Sequence, residues 1–534
     1  MMRWLTLPLL PLCCCAWASS VVSASRSGNA VRLQLDDGAA EILWMNPSTI
    51  RVRQVWRDQT TERPVPKVEK LDFSLFEMED SIRLRSRDVV VVVSKRPFTI
   101  RFESVDGATL AEQLETRFDG TGKVDYHFRL QPDERLYGLG HQSPRLNRRG
   151  EIITTTRPLL VSSEGYGLYF PGARSFRFDA GATQPSSLRI TAASASRGDF
   201  IVYHGGAPAQ ILEQHAEWFG ESIEPARAHA GMLPAIEKPS YALMVEGTWL
   251  EVLRQIFQAG FSGIPVTAVN PNSVRGFRTP FGGDLLAAIP PVLLVDSGSS
   301  LSPEAAALRR SFESHRLTYL MEARDRGLPP VHSMAHQFPF DDEASRIEDQ
   351  FFFGDEILVA PMLGSSDHRH VYLPQGFWTD WHSNRIHRGR QTIAIKVKRD
   401  TLPMFARNGS IVPVDRPDRI ELHYFPKLGG EYFLWEPETD QITQIHAGPA
   451  GDFLRLQIEE RAGRSYEWIV HNVVRPKDVR QPESVLQPGP VSQARPLRWR
   501  YDESRKNLHI QLDVRAGEDQ IVNVAFPAGV WSLQ

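Results

Sequence analysis

The chain has 534 residues, 10% of them aromatic with Trp at 12, and a formal net charge of -3. That length exceeds one ordinary core and calls for two to four domains. The near-neutral charge excludes the basic footprint of a nucleic-acid-binding protein, while the aromatic content suits sugar-ring stacking and core packing alike, with core packing taking most of it.

Residues 1–25 read as a secretory signal. Arg3 supplies the positive n-region, Leu5 to Cys15 the apolar h-region, and Ala16-Trp17-Ala18 a small-x-small cleavage site. An exported protein, periplasmic or extracellular, is the expectation. Cys13, Cys14 and Cys15 all fall inside this segment, so the remainder has no disulfide framework, no thiolate nucleophile and no cysteine metal site. Leu12 before Cys13 argues against a lipoprotein. No other stretch reaches the roughly 18 apolar residues of a membrane span.

Residues 26–224 carry strand signals. Val89–Val93 and Phe98–Phe102 are β-branched and aromatic runs, and turn residues punctuate the segment without helical periodicity, which predicts an antiparallel sandwich. Arg135–Gly140 and Arg148-Arg149-Gly150 read as a glycine-held loop, and Gly165–Phe170 as a strand.

Helical signals begin near Ala209, with a short amphipathic helix over Gln210–Phe219. The clearest helix is Thr248–Ala259. Thr248 and Glu251 form a capping box, Trp249, Val252, Leu253, Ile256 and Phe257 share one face, and Gly260 is expected to supply the left-handed stop. Phe261–Val269 returns to strand. Pro303–Arg326 is predicted as one helix, with Ser302 as N-cap and Gly327 as its end. Asp349–Pro361 runs through three aromatics, a Gly-Asp turn and Ile357-Leu358-Val359-Ala360. Being apolar on both alternating faces, it reads as the last, doubly covered strand of an α/β unit. Residues 225–363 therefore form a short α/β segment, 364–414 a proximal β-sandwich and 415–534 a distal β domain. The fold class is multidomain α+β, mostly β.

Generic catalytic motifs are absent: no phosphate-binding loop, no Gly-x-Ser-x-Gly, no His-Glu-x-x-His. His332-Ser-Met-Ala-His336 has metal-compatible spacing but no carboxylate placed to complete it, so neither metal nor cofactor is expected. His368 and His370 alternate on an edge strand and read as solvated; Asn408-Gly-Ser410 is a sequon inside a packed turn. Glu251 is the capping acid. The catalytic candidates are carboxylates at strand ends, Glu246 before the capped helix and Asp296 after Val292–Val295.

Taken together, several blocks resemble glycoside hydrolase family 31, the α-glucosidases and α-xylosidases. They are Arg135–Gly140 with Arg148–Gly150, Gly165–Phe170, Gly260-Phe-Ser-Gly-Ile-Pro265, Gly276-Phe277, Gly327-Leu-Pro, Phe338-Pro339, Asp349–Asp355, Leu358–Pro361, Tyr372–Trp378 and Arg407–Pro413, in the family's order. The resemblance implies a galactose-mutarotase-like sandwich at the N-terminus, C-terminal sandwiches, and hydrolysis of O-glycosidic bonds of α-glucosides or α-xylosides in carbohydrate metabolism. It implies a carbohydrate partner, with substrate contacts from Asn270, where the family has a sugar-contacting Asp, and Phe277.

The resemblance also implies a (β/α)8 barrel, which takes about 250 residues, whereas Pro225 to Leu363 offers about 140. The first part of the barrel has no room between Met232 and Val245, and the family's nucleophile sequence, Trp-x-Asp-Met-Asn-Glu, occurs nowhere. Leu243-Met-Val-Glu246 stands where a Gly-Asp would carry the acid/base. A barrel remnant of three to five strands is expected, not a closed ring. Two readings stay open: a hydrolase with a rebuilt site, Glu246 with Asp296 or Asp284, and a non-catalytic carbohydrate-binding or scaffolding relative. The missing carboxylates favour the second.

Overall fold

A computed structural model describes residues 19–56, 68–141, 145–220, 232–233, 243–275, 286, 293–295, 301–364, 366–398, 401–427, 429–481 and 497–527. Of the expected signal, residues 1–18 lie outside this set, while Val21–Ser27 is a strand paired antiparallel with Ala30–Leu35. Among the described residues no helix is long and apolar enough to cross a membrane. The chain divides into two compact units: one of Met1–Glu134, Arg149–Thr156 and Tyr166–His204, and one of Arg135–Arg148, Arg157–Gly165 and Gly205–Gln534.

The first unit is the antiparallel sandwich that the strand signals predict. One sheet runs Val21–Ser27, Ala30–Leu35, Gly38–Asn46, Thr49–Trp56, Gly198–His204 and Tyr166–Tyr169; the facing one runs from Ile152–Thr155 through Lys123–Arg129 and Phe98–Ser104 to Ser74–Glu77. Alternating inward residues make the core: Phe102, Tyr126 and Phe128 meet Phe200 edge-on at centroid distances of 6.4, 6.2 and 5.2 Å. Arg51 closes a bidentate pair on buried Asp199 at 2.8 and 2.6 Å.

The second unit carries the α/β segment, whose described strands form an open parallel sheet and not a closed ring. Among the described residues, four parallel strands lie in the order Met232–Leu233, Leu293–Val295, Thr267–Arg275 and Leu243–Thr248. Helix Trp249–Phe261 follows the last of these, its Thr248–Glu251 capping box formed and Val252, Leu253, Ile256 and Phe257 buried. Gly260 does not end this helix. It lies inside it, where a Cβ would press on Pro329 at 3.0 Å, and the left-handed residue is Gly263. Gly260 serves close packing and Gly263 the turn.

The helix predicted over Pro303–Arg326 is two, Pro303–Ser311 and Glu313–Arg326, parted at Phe312. The break has a long-range cause. Asp415 accepts the Ser314 N–H at 2.8 Å and its hydroxyl at 2.5 Å, capping the second helix from 101 residues away. Phe312 packs edge-on against Phe353 at 5.9 Å and tilted against Trp381 at 5.7 Å.

Asp349–Pro361 also differs from expectation. It is a hairpin, not a parallel strand: Phe351–Phe353 pairs antiparallel with Val331–Ser333 and with Ile357–Val359, which pairs with Met404–Arg407. The run is apolar on both faces because both are covered. Phe352 and Leu358 pack with Phe405 and Trp378 on one side, and Phe353 meets Phe312 and His315 on the other. His368 and His370 are exposed, and Asn408 spends its amide on Thr379 and Pro426 at 2.9 and 3.2 Å. Beyond Ser410, two five-stranded sheets enclose a core around Trp468, Tyr424, Tyr466 and Leu456.

Candidate functional site

In α/β sheets ligands gather at the carboxyl ends of parallel strands. Glu246 is near such an end, on Leu243–Thr248, with an exposed side chain. Its main chain is clamped by Gln255 of the following helix, whose amide donates to the Glu246 carbonyl at 2.6 Å while its oxygen accepts the Glu246 N–H at 3.3 Å. Glu251 is occupied as a cap: its carboxylate accepts the Thr248 N–H at 2.7 Å and meets Arg275 at 2.8 Å. These bonds, the Thr248 N–H first, hold it below the usual carboxylate range.

On the neighbouring strand, Val245 lies opposite Val269 and Gly247 opposite Val274, so Asn270–Ser273 bulge beside Glu246. Half-buried Asn270 accepts the Asn272 N–H on its side-chain oxygen at 2.9 Å, and its carbonyl accepts the Ser273 hydroxyl at 3.0 Å, an Asx turn that shapes the bulge. The register thus brings Glu246 and Asn270 to neighbouring positions on adjoining strands, where the bulge begins. The strand leading to Asp296, Leu293–Val295, pairs with the Asn270 strand through Ala268 and Val269. Asp296, Asp284 and Phe277 lie outside the described residues.

A second cluster escaped the reading of the residues. Glu356, in the turn of the Phe351–Val359 hairpin, is buried, and burial followed by the Asp355 charge pushes its carboxyl up to about 8. Tyr319 donates to Glu356 at 2.7 Å and accepts the Asp355 N–H at 2.8 Å. His315 stands 3.8 Å from Glu356, with Nε2 3.4 Å from the Phe353 carbonyl and Nδ1 3.0 Å from the Tyr432 hydroxyl. The carbonyl can only accept, so His315 donates through Nε2 and accepts through Nδ1 as a neutral ring; burial lowers it to about 4. This charge-neutral network ties hairpin, helix and distal sandwich together. Its sequence signal was the Gly-Asp-Glu turn, visible as a turn but not as a buried acid.

His332 and His336 are buried with ring centroids 4.5 Å apart, and His332 Nδ1 is 3.0 Å from the Gln337 oxygen. Burial, then the neighbouring His332, drives His336 well below the ordinary imidazole value. Among the described residues no group of three His, Cys, Asp or Glu side chains is arranged to hold a metal ion.

Comparisons with known proteins identify what this framework is. The profile of the glycosyl hydrolase 31 N-terminal galactose mutarotase-like domain matches residues 39–169, and that of the glycosyl hydrolase family 31 C-terminal domain matches residues 327–412. Similar curated proteins include alpha-glucosidase 2 of Bacillus thermoamyloliquefaciens, 29% identical over 186 residues, and an alpha-glucosidase of Saccharolobus solfataricus, 30% identical over 130 residues. The aligned stretches cover 33% and 24% of this chain, and 23% and 18% of those relatives. In fold, the chain is similar to a dextranase of Flavobacterium johnsoniae solved with isomaltotriose, at a TM-score of 0.79 and 14% identity, covering 95% of this chain and 100% of that one. It is likewise similar to the cycloalternan-forming enzyme of Listeria monocytogenes solved with a pentasaccharide substrate, at 0.79 and 13%, covering 95% and 77%. The two matched profiles flank the parallel sheet in the family's order, and by these matches the chain carries the N-terminal and C-terminal domains of glycoside hydrolase family 31.

Proposed function

We propose that this family 31 protein is an exported, carbohydrate-binding relative of the α-glucosidases and α-xylosidases that lacks their ordinary turnover. The observation carrying this reading is a pair of neighbouring positions in the parallel sheet: beside the exposed carboxylate of Glu246 the next strand carries Asn270, an amide and not an acid. A retaining glycosidase instead sets a nucleophile and an acid/base carboxyl about 5–5.5 Å apart. Losing either removes a covalent or a proton-transfer step, not merely binding energy. Carbohydrate as ligand class is supported by the dextranase and cycloalternan-forming enzyme, solved with isomaltotriose and a pentasaccharide. Export is supported by the n-region, h-region and cleavage pattern of residues 1–18.

A second reading is a hydrolase of α-glucosides or α-xylosides with a rebuilt site. It draws on the strand leading to Asp296, which shares the parallel sheet with Glu246. Release of p-nitrophenol from aryl α-glucoside and α-xyloside, run beside Glu246→Gln and with isomaltotriose titrated calorimetrically, separates the two. The proposal expects no turnover above the Glu246→Gln background and saturable sugar binding. Turnover that Glu246→Gln abolishes would establish the second reading, and absence of both turnover and binding would remove carbohydrate as the ligand class.

A further inference from the structure

The distal sandwich has an outer sheet face made by Gly430–Glu436, Gln441–Ala450 and Phe453–Glu459, and its two ends differ. At one end Trp435 is buried with Leu317 and Leu320 of helix Glu313–Arg326. At the other the face opens into a trough of about 600 Å3, with the turn at Gly409 as one wall. Register sets Glu431 opposite His446, His446 opposite Gln457 and Gly448 opposite Arg455, so these side chains share the face. Gly429 leaves the floor open. Its backbone is not left-handed, and a Cβ there would make only ordinary contact with the Ala447 carbonyl at 3.4 Å.

We infer that this trough is a saccharide-binding site for a short neutral α-linked oligosaccharide. The inference rests on the carbohydrate-binding reading above and supplies it with a site away from the parallel sheet. Three features carry it. First, the polar set matches hydroxyl chemistry: Glu431 accepts, Arg455 donates, and Gln457 and His446 do both. The Arg455 guanidinium makes no ion pair or hydrogen bond among the described residues, and His446 stands 3.6 Å from Glu431. Second, both signs of charge line one trough, which disfavours an anion and suits a neutral ligand whose hydroxyls take either partner. Third, Phe433 lies one pleat beyond Glu431, 44% exposed and edge-on to His446 at 6.5 Å. An exposed ring beside planar polar groups offers a stacking platform for the apolar face of a pyranose, and pockets of about 300–1,000 Å3 suit ligands of that size.

The test is calorimetric titration of the full chain with isomaltotriose, maltotriose and an α-xylosyl oligosaccharide. Arg455→Ala and Phe433→Ala are each expected to weaken Kd about tenfold, and the double variant to abolish saturable binding, a loss of about 1.4 kcal/mol per single change. Trp499→Ala, which removes an exposed ring on the other sheet of the same sandwich, should leave Kd unchanged. Unaltered thermal midpoints establish that the variants fold. Wild-type affinity in the double variant would overturn the trough while leaving the carbohydrate-binding reading in place. No binding of any of the three sugars by the wild type would overturn both.

Discussion

Glu356 gives a prediction whose size follows from its surroundings. Its carboxyl is pushed up to about 8 from 4.5, by burial first and by Asp355 second, while Tyr319 and the local N–H groups pull weakly the other way. The folded chain therefore holds a proton that the unfolded chain has released between pH 4.5 and about 8. Stability from this group is fully present below pH 4.5 and is lost as pH rises through 8. The rise from 4.5 to about 8 corresponds to about 5 kcal/mol at the limit, most of which falls between pH 5 and pH 8. Glu356→Gln keeps the shape and an acceptor for Tyr319 but cannot ionise. The variant should match the wild type at pH 5 and exceed it by about 3 kcal/mol at pH 8, about 1 M in urea midpoint at an m of about 3 kcal/mol/M. Tryptophan fluorescence through urea at pH 5, 6.5 and 8 reads this directly. A constant difference across the three pH values, or a variant weaker at pH 8, would refute the buried neutral acid.

Other perturbations test the framework around the site. His215 is lowered to about 4 by burial, so its contribution is complete above pH 6.5 and declines as pH falls towards 4; His215→Leu should reduce the drop in thermal midpoint between pH 7 and pH 4.5. Gly354 is left-handed, and a Cβ there would collide with the Tyr319 ring; Gly354→Ala should destabilise by about 1–3 kcal/mol in urea, more than Gly364→Ala, whose Cβ meets nothing. Thr248→Ala removes the cap of helix Trp249–Phe261 and should lower stability by about 1 kcal/mol, with faster proteolysis at the Glu246 strand end.

The limits of reading this chain from its residues can be placed on particular elements. Helix Trp249–Phe261 was legible because its cap and apolar stripe lie within thirteen residues. The break at Phe312 was not, because the group capping the second helix is Asp415. The Phe351–Val359 hairpin read as one buried strand because alternation reports only that both faces are covered, not which way the neighbours run. Glu246 was visible as a strand-end carboxylate, but its nearness to Asn270 depends on a bulge in a parallel register. The buried state of Glu356 depends on Tyr319 and His315 from another element.

The sequence by itself determined the family, through short blocks in a fixed order, and the two sandwiches, through strand alternation and turn spacing. It also determined that too few residues remain for a closed barrel, since length bounds topology whatever the packing. Only the tertiary structure decided that Asp349–Pro361 is antiparallel, that one helix becomes two, that Glu356 sits in a neutral network, and that the outer face of the distal sandwich opens beside Phe433. Those outcomes rest on groups distant in the chain meeting in a common core or along a shared sheet, where burial, register and charge are set by neighbours that no local pattern encodes.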